Sequence, residues 1–209
     1  MFFKNAIKLI AAHAVSMGAI GLFGLFFLLS GCSEKTHSFS SIDITGADYA
    51  KDFELTDHNG QVRHLKDFAG KVVVIFFGYT QCPDVCPTSM AELASIRQAL
   101  GKDGDRLQGL FVTVDPQRDT PEVLKAYTTN FDPSFLALYT TPEKLAALAK
   151  DFKAYYKKVE GKTPTSYTMD HSAGSYVFDT KGQLRLFTRY GSGAAPLTAD
   201  VQALLKEVR

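Results

Sequence analysis

Cys82 and Cys86 stand in the run Gly78-Tyr-Thr-Gln-Cys-Pro-Asp-Val-Cys-Pro87, directly after the apolar stretch Val72–Phe77. Such a place, at the carboxyl end of a strand and the start of a helix, is where ligand and redox sites gather in α/β sheets. If the segment is helical, the Cys-x-x-x-Cys spacing puts both thiols on one face. Their Cα atoms then lie about 6 Å apart, within reach of a disulfide. The same placement lets both sulfurs converge on one metal ion. Unpaired N–H groups at the helix start favour thiolate over thiol, most of all at Cys86, and this serves either chemistry. The plainer alternative is a stabilising disulfide in an exported protein, though a bridge closing so short a loop removes little chain entropy.

A third group for that chemistry has to come from elsewhere in the chain. Of the five histidines, His13 lies in an apolar leader, His37 in a polar tether, and His58 and His64 in a first hairpin. His171 differs, because Tyr167-Thr-Met-Asp-His-Ser172 immediately precedes a strand starting near Ser175. In the sheet that the element order below predicts, that loop neighbours the cysteine loop. Position alone fits a hydrogen-bonded loop histidine as well as it fits a ligand. Asp170 is a candidate to orient the ring, Met169 suits packing better than ligation, and Phe77 and Tyr79 are expected beneath the site. Asp84 is expected to face solvent. Asp115, Arg118 and Asp119 divide between site support or a docking surface and an ordinary helix start before Pro121.

The elements that position these groups follow from the hydrophobic pattern. Val72–Phe77 and Leu110–Val114 read as central strands covered on both faces. Asn59-Gly60 suits a tight turn needing positive φ, which gives a small leading hairpin between Asp52–Thr56 and Gln61–His64. Residues 87–100 read as a helix with Pro87 in its first turn and Gly101 as its stop. Thr120-Pro-Glu122 and Thr141-Pro-Glu143 each supply a hydroxyl cap, a first-turn proline and an acid at the positive helix end. Leu145, Leu148, Ala149 and Phe152 form an inward stripe. Phe135–Tyr139 reads as a short strand, Ser175–Phe178 and Leu184–Tyr190 as a hairpin, and Val201, Leu204, Leu205 and Val208 as the apolar side of a last helix. This order predicts an α/β chain with a thioredoxin-like fold, an N-terminal β-hairpin and an inserted α/β segment.

Composition narrows the class further. Of 209 residues, 45% are hydrophobic and 22% charged, and the formal charge is +1 with no block of like charge. That balance argues against a nucleic-acid partner recognised through phosphate neutralisation. Lys4 and Lys8 precede a stretch free of Asp, Glu, Lys and Arg from Leu9 to Ser33, the pattern of an export signal. Leu29-Ser-Gly-Cys-Ser33 resembles a bacterial lipobox, in which the cysteine receives a lipid. We therefore expect residues 1–31 to be a lipoprotein signal peptide, Cys32 to be lipidated, 32–47 to be a flexible tether, and 48–209 to be the domain. The alternative for the leader is an uncleaved anchor spanning the bilayer. Either arrangement places the domain on the extracytoplasmic side of a membrane, the periplasmic side in a Gram-negative host. Lipidation also accounts for the odd cysteine among three.

Three motifs taken together, Gly78–Pro87, Val114-Asp-Pro-Gln-Arg-Asp-Thr-Pro121 and Asp170-His-Ser172, resemble the Sco/SenC family of thioredoxin-like copper chaperones. The resemblance runs from about residue 48 to 209. It implies that Cys82, Cys86 and His171 bind Cu(I) or Cu(II) and that the protein assists assembly of the dinuclear copper centre of cytochrome c oxidase. The implied partners are the copper-bearing oxidase subunit, a thioredoxin-like reductant, and a membrane held through the N-terminal lipid. Two soft thiolates select Cu(I), and an imidazole keeps the set competent for Cu(II). Structural zinc would want a fourth protein ligand. The rival reading is a thiol-disulfide oxidoreductase that reduces the cysteines of the oxidase copper site. Against it stand the Cys-x-x-x-Cys spacing and Ser172-Ala-Gly174, where redox thioredoxins place a cis-proline.

Overall fold

The computed structural model describes residues 38–163 and 166–207. The leader, the expected lipidation site Cys32 and the terminal Val208 lie outside the described residues. Among the described residues ten strands occur in chain order: β1 (Ile42–Asp43), β2 (Leu55–Asp57), β3 (Val62–Arg63), β4 (Val72–Gly78), β5 (Leu107–Thr113), β6 (Leu136–Tyr139), β7 (Tyr156–Val159), β8 (Thr168–His171), β9 (Ser175–Phe178) and β10 (Leu184–Thr188). Four α-helices accompany them, α1 (Val85–Ala99), α2 (Pro121–Thr129), α3 (Pro142–Phe152) and α4 (Ala194–Lys206).

Every residue of β4 and β5 is buried, as continuous apolar runs require, and the two strands pair in parallel from Val72–Leu107 to Gly78–Thr113. They form the centre of an eight-stranded sheet ordered β1-β10-β9-β4-β5-β6-β2-β3. The strand β6 continues the parallel run beside β5, while β9 and β10 add an antiparallel pair on the other side. This mixed sheet is the expected thioredoxin-like core. The inserted segment is α2–β6, and the leading hairpin β2–β3 docks on β6. Thr120 and Thr141 cap α2 and α3 by accepting from Val123 and Lys144 N–H, each with proline in the first turn.

Three local expectations need correction. Of the Asn59-Gly60 pair, only Gly60 has positive φ (+80°), and Gly60 N–H donates to the Asp57 carbonyl, so the turn is not the two-residue type that requires positive φ twice. Residues 38–47, expected within a flexible tether, are joined to the domain. Ser40 and Ser41 N–H each donate to the buried Asp200 carboxylate at 2.8 Å, and β1 pairs with β10. The polar composition concealed this, because the partners lie about 160 residues away in sequence. Finally, β7 and β8 form a ribbon of their own, paired from Tyr156–His171 to Val159–Thr168, where a loop was expected.

Candidate metal centre

Strand β4 delivers the site. Phe76 and Gly78 share one face of it while Phe77 takes the other, because side chains alternate along a strand. Phe77 packs against Phe152 and Tyr176, away from the cysteines, so the aromatic floor is Phe76 with Tyr79 and not Phe77 as expected. The missing side chain of Gly78 admits the Cys86 sulfur, since a Cβ there would lie 2.7 Å from it.

The helical register expected for both thiols holds only for Cys86. The N-cap of α1 is Asp84, which leaves Cys82 in the preceding turn with its N–H donating to the Tyr79 carbonyl at 3.2 Å. The Cys82 sulfur accepts from Cys86 N–H at 3.5 Å, filling the place of a capping oxygen. An N–H of the first turn of α1 is thereby aimed at the Cys82 sulfur. Cys86 is wholly buried, and burial pushes its thiol well above the ordinary range, with the neighbouring Cys82 sulfur adding to the rise. The expectation that the helix start favours thiolate most at Cys86 is not met, because desolvation outweighs the N–H groups. A metal ion binding here must displace the Cys86 proton.

His171 ends β8. Its Nδ1 lies 3.0 Å from the Ser172 carbonyl, an atom that can only accept, so Nδ1 carries the proton and Nε2 presents a lone pair. That Nε2 lies 3.3 Å from the Cys86 sulfur. The imidazole stands edge-on to Phe76 and Tyr79, each with its ring centroid 5.9 Å away. Asp170, a candidate to orient the ring, is exposed on the opposite side of the strand, and the Ser172 carbonyl does that work instead. The ligand atoms of Cys82, Cys86 and His171 all lie within 4.8 Å of one another. Two sulfurs and one imidazole nitrogen so placed can close on a single soft cation.

The Val114–Pro121 motif belongs to the support of this site. Asp119 is buried and accepts from the Thr80 hydroxyl and the Thr113 hydroxyl, both at 2.6 Å, and from Thr80 N–H at 3.1 Å. It thus holds the loop two residues before Cys82, while the helix cap falls to Thr120. Arg118 pairs with Asp115 and reaches Gln81 and Tyr167. Asp84 is exposed and accepts from the Tyr190 hydroxyl at 3.4 Å, and Met169 is buried in packing. Thr80, Thr113, Gln81 and Tyr167 were not found by motif reading. The alternation of β4 and β8 is the signal that would have marked Phe76 as the floor and Asp170 as facing away.

A family profile described as SCO1/SenC matches residues 43–206. This chain belongs to that family. A "SCO2-like protein" of Rickettsia felis is 34% identical over 183 residues, covering 86% of this chain and 88% of the relative. Among solved structures, ScoI of Bradyrhizobium japonicum with copper bound is 40% identical, with a TM-score of 0.67, covering 73% of this chain and 97% of that one. A SCO1/SenC family lipoprotein from Bacillus anthracis is 25% identical, with a TM-score of 0.63 and coverage of 76% and 94%. For this SCO1/SenC member, family and fold agree with the sequence reading.

Proposed function

We propose that the protein carries copper through Cys82, Cys86 and His171 and passes it to the copper-bearing subunit of cytochrome c oxidase, assisting assembly of the dinuclear copper centre. The observation that carries this reading is the convergence of two thiol sulfurs and one imidazole nitrogen within 4.8 Å. It is supported by the copper bound to the similar Bradyrhizobium protein. Two sulfurs hold Cu(I), the imidazole extends the set to Cu(II), and three protein ligands leave a position open to a partner's incoming thiolate. Cys32 is the lipidated residue that holds the domain on the extracytoplasmic side of a membrane. A lipoprotein among the similar structures supports that anchor.

The test is anaerobic Cu(I) titration and aerobic Cu(II) titration of the protein and its His171→Ala variant. One equivalent of each ion is expected for the unaltered protein, with a strong thiolate-to-Cu(II) absorption. His171→Ala is expected to lose that absorption and to fail in oxidase assembly in cells, while keeping a reducible Cys82–Cys86 pair. Full oxidase activity with this variant at normal copper supply rejects the carrier and favours the thiol reductase.

A further inference from the structure

His171 rides on an element that the main sheet does not hold. Among the described residues, β7 and β8 pair with each other and with no strand of the eight-stranded sheet. Its backbone bonds at the His171 end, Ser172 N–H to the Tyr155 carbonyl and Tyr155 N–H to the Ser172 hydroxyl, also stay within the ribbon. Cys86, by contrast, is fixed on α1, and Cys82 by the turn after β4 that Asp119 holds through Thr80. The distance between the thiol pair and the imidazole therefore depends on what joins the ribbon to the cysteine loop.

The Tyr79 side chain joins them at one point, bonded by the Met169 backbone and edge-on to His171, and one guanidinium makes the rest of that junction. Arg118 Nη1 donates to the Gln81 side-chain oxygen at 3.1 Å, one residue before Cys82, and to the Tyr167 carbonyl at 2.9 Å, one residue before β8. Its Nε pairs with the buried Asp115, whose other oxygen accepts from the Tyr167 hydroxyl at 2.8 Å. The guanidinium carbon lies 3.5 Å from the centroid of the Tyr167 ring and 5.7 Å from that of Tyr79, which itself abuts His171. The remaining nitrogen, Nη2, is buried with no hydrogen-bond partner among the described residues. The side chain is thus placed by its links to these neighbours and not by the satisfaction of all its own donors. Only a planar, forked cation can stack on an aromatic face and serve three acceptors from one position.

The geometry points to Arg118 as the positioning residue that sets the imidazole's distance from the thiol pair, and so sets how well the centre holds Cu(II) relative to Cu(I). This inference rests on the copper-carrying reading above. Arg118 touches no ligand atom and acts through Gln81, Tyr79 and Tyr167. When the junction is lost, the two sulfurs remain in place for Cu(I). The imidazole loses its fixed approach, and Cu(II), which relies more on nitrogen, is affected most.

The test compares the unaltered protein with Arg118→Gln, Arg118→Lys, Gln81→Ala and, as a surface control, Arg189→Gln. Cu(I) affinity, Cu(II) affinity, the Cu(II) absorption band, the Cys82–Cys86 midpoint potential and thermal unfolding are measured for each. Loss of an outer-shell support typically weakens metal binding about 10- to 100-fold. We expect that loss for Cu(II) in both Arg118 variants, with a displaced band, a smaller loss for Cu(I), and an unchanged midpoint potential. Arg189→Gln is expected to match the unaltered protein. Gln81 is exposed, so Gln81→Ala keeps the test decisive if the Arg118 variants fail to fold, and a displaced Cu(II) band is expected there too. Equal loss of both ions, full rescue by lysine, or unaltered Cu(II) binding in all three site variants overturns the inference. If the unaltered protein binds neither ion, the copper reading itself falls. If it binds both and the variants match it, only the role of Arg118 falls.

Discussion

Gly78 leaves its side-chain space to the sulfur of Cys86: a Cβ at position 78 would lie 2.7 Å from that atom and 2.9 Å from the rings of Phe76 and Phe111. Real Cβ atoms do not approach so closely, so one of these groups must move. Overpacking of this kind costs about 1–3 kcal/mol. Gly78→Ala is expected to lose stability in that range in denaturant unfolding and to displace the thiol from His171, weakening copper binding. An unchanged unfolding midpoint would show that the strand end has slack.

The thiols should differ in reactivity. Cys82 is half-buried and Cys86 wholly buried, with its thiol pushed up by burial. In the reduced, metal-free protein, iodoacetamide is expected to label Cys82 first. Labelling of Cys86 should lag and quicken as pH rises, since the thiolate is the nucleophile. Mass spectrometry of tryptic peptides gives the order, and prior labelling of Cys86 would contradict the burial.

Asp200 secures the entry of the chain into the domain. Its carboxylate is buried, and removing it leaves Ser40 and Ser41 N–H without their acceptor. Asp200→Ala is expected to cost about 1–3 kcal/mol and to speed amide exchange across residues 40–43, with exchange in β4 reflecting only the global loss. Unchanged exchange at 40–43 would place the hold on that segment elsewhere.

His58 gives the fold a pH dependence remote from the cysteines. It is buried, its Nδ1 accepts from Ala137 N–H at 3.2 Å, and burial holds its pKa below the ordinary 6.5, with Lys125 pushing the same way and Asp57 opposing. The unfolded chain then takes up the proton first as pH falls. Stability is full above about 6.5, declines as pH drops toward the folded value, and levels off below it. Between pH 7 and pH 5, His58→Gln is expected to lose less stability than the unaltered protein. Parallel curves would assign the slope to another group.

What was legible in the sequence was whatever is local. Ser175–Phe178 appears at its expected bounds, and the threonine-proline starts of α2 and α3 are capped as read. The ribbon was not legible because Tyr156-Lys-Lys-Val159 carries little apolar signal. It is held by pairing with residues a dozen positions away, and by the Lys158 ammonium lying 4.2 Å from the centroid of the Tyr167 ring. Asp170, one candidate for orienting His171, is set aside for a related reason. In a strand, neighbours point apart, so Met169 shares the inward face with His171 while Asp170 does not. Cys82, Cys86 and His171 were visible within motifs, whereas the links among Asp119, Thr80, Arg118 and Tyr167 are tertiary and leave no periodic trace.

The aromatic floor makes the centre one-sided. Phe76 and Tyr79 stand edge-on to the imidazole and the Cys86 sulfur is seated over Gly78, so the inner side of the three-residue group is lined by aromatic rings and by that one buried sulfur. A ligand exchanging at an ion held by the group would come from the outer side, that of the half-buried Cys82. Substitution at an ion held here would then be directional: the outer sulfur would yield its bond first, and the bond to the sheltered Cys86 sulfur would be the last to break.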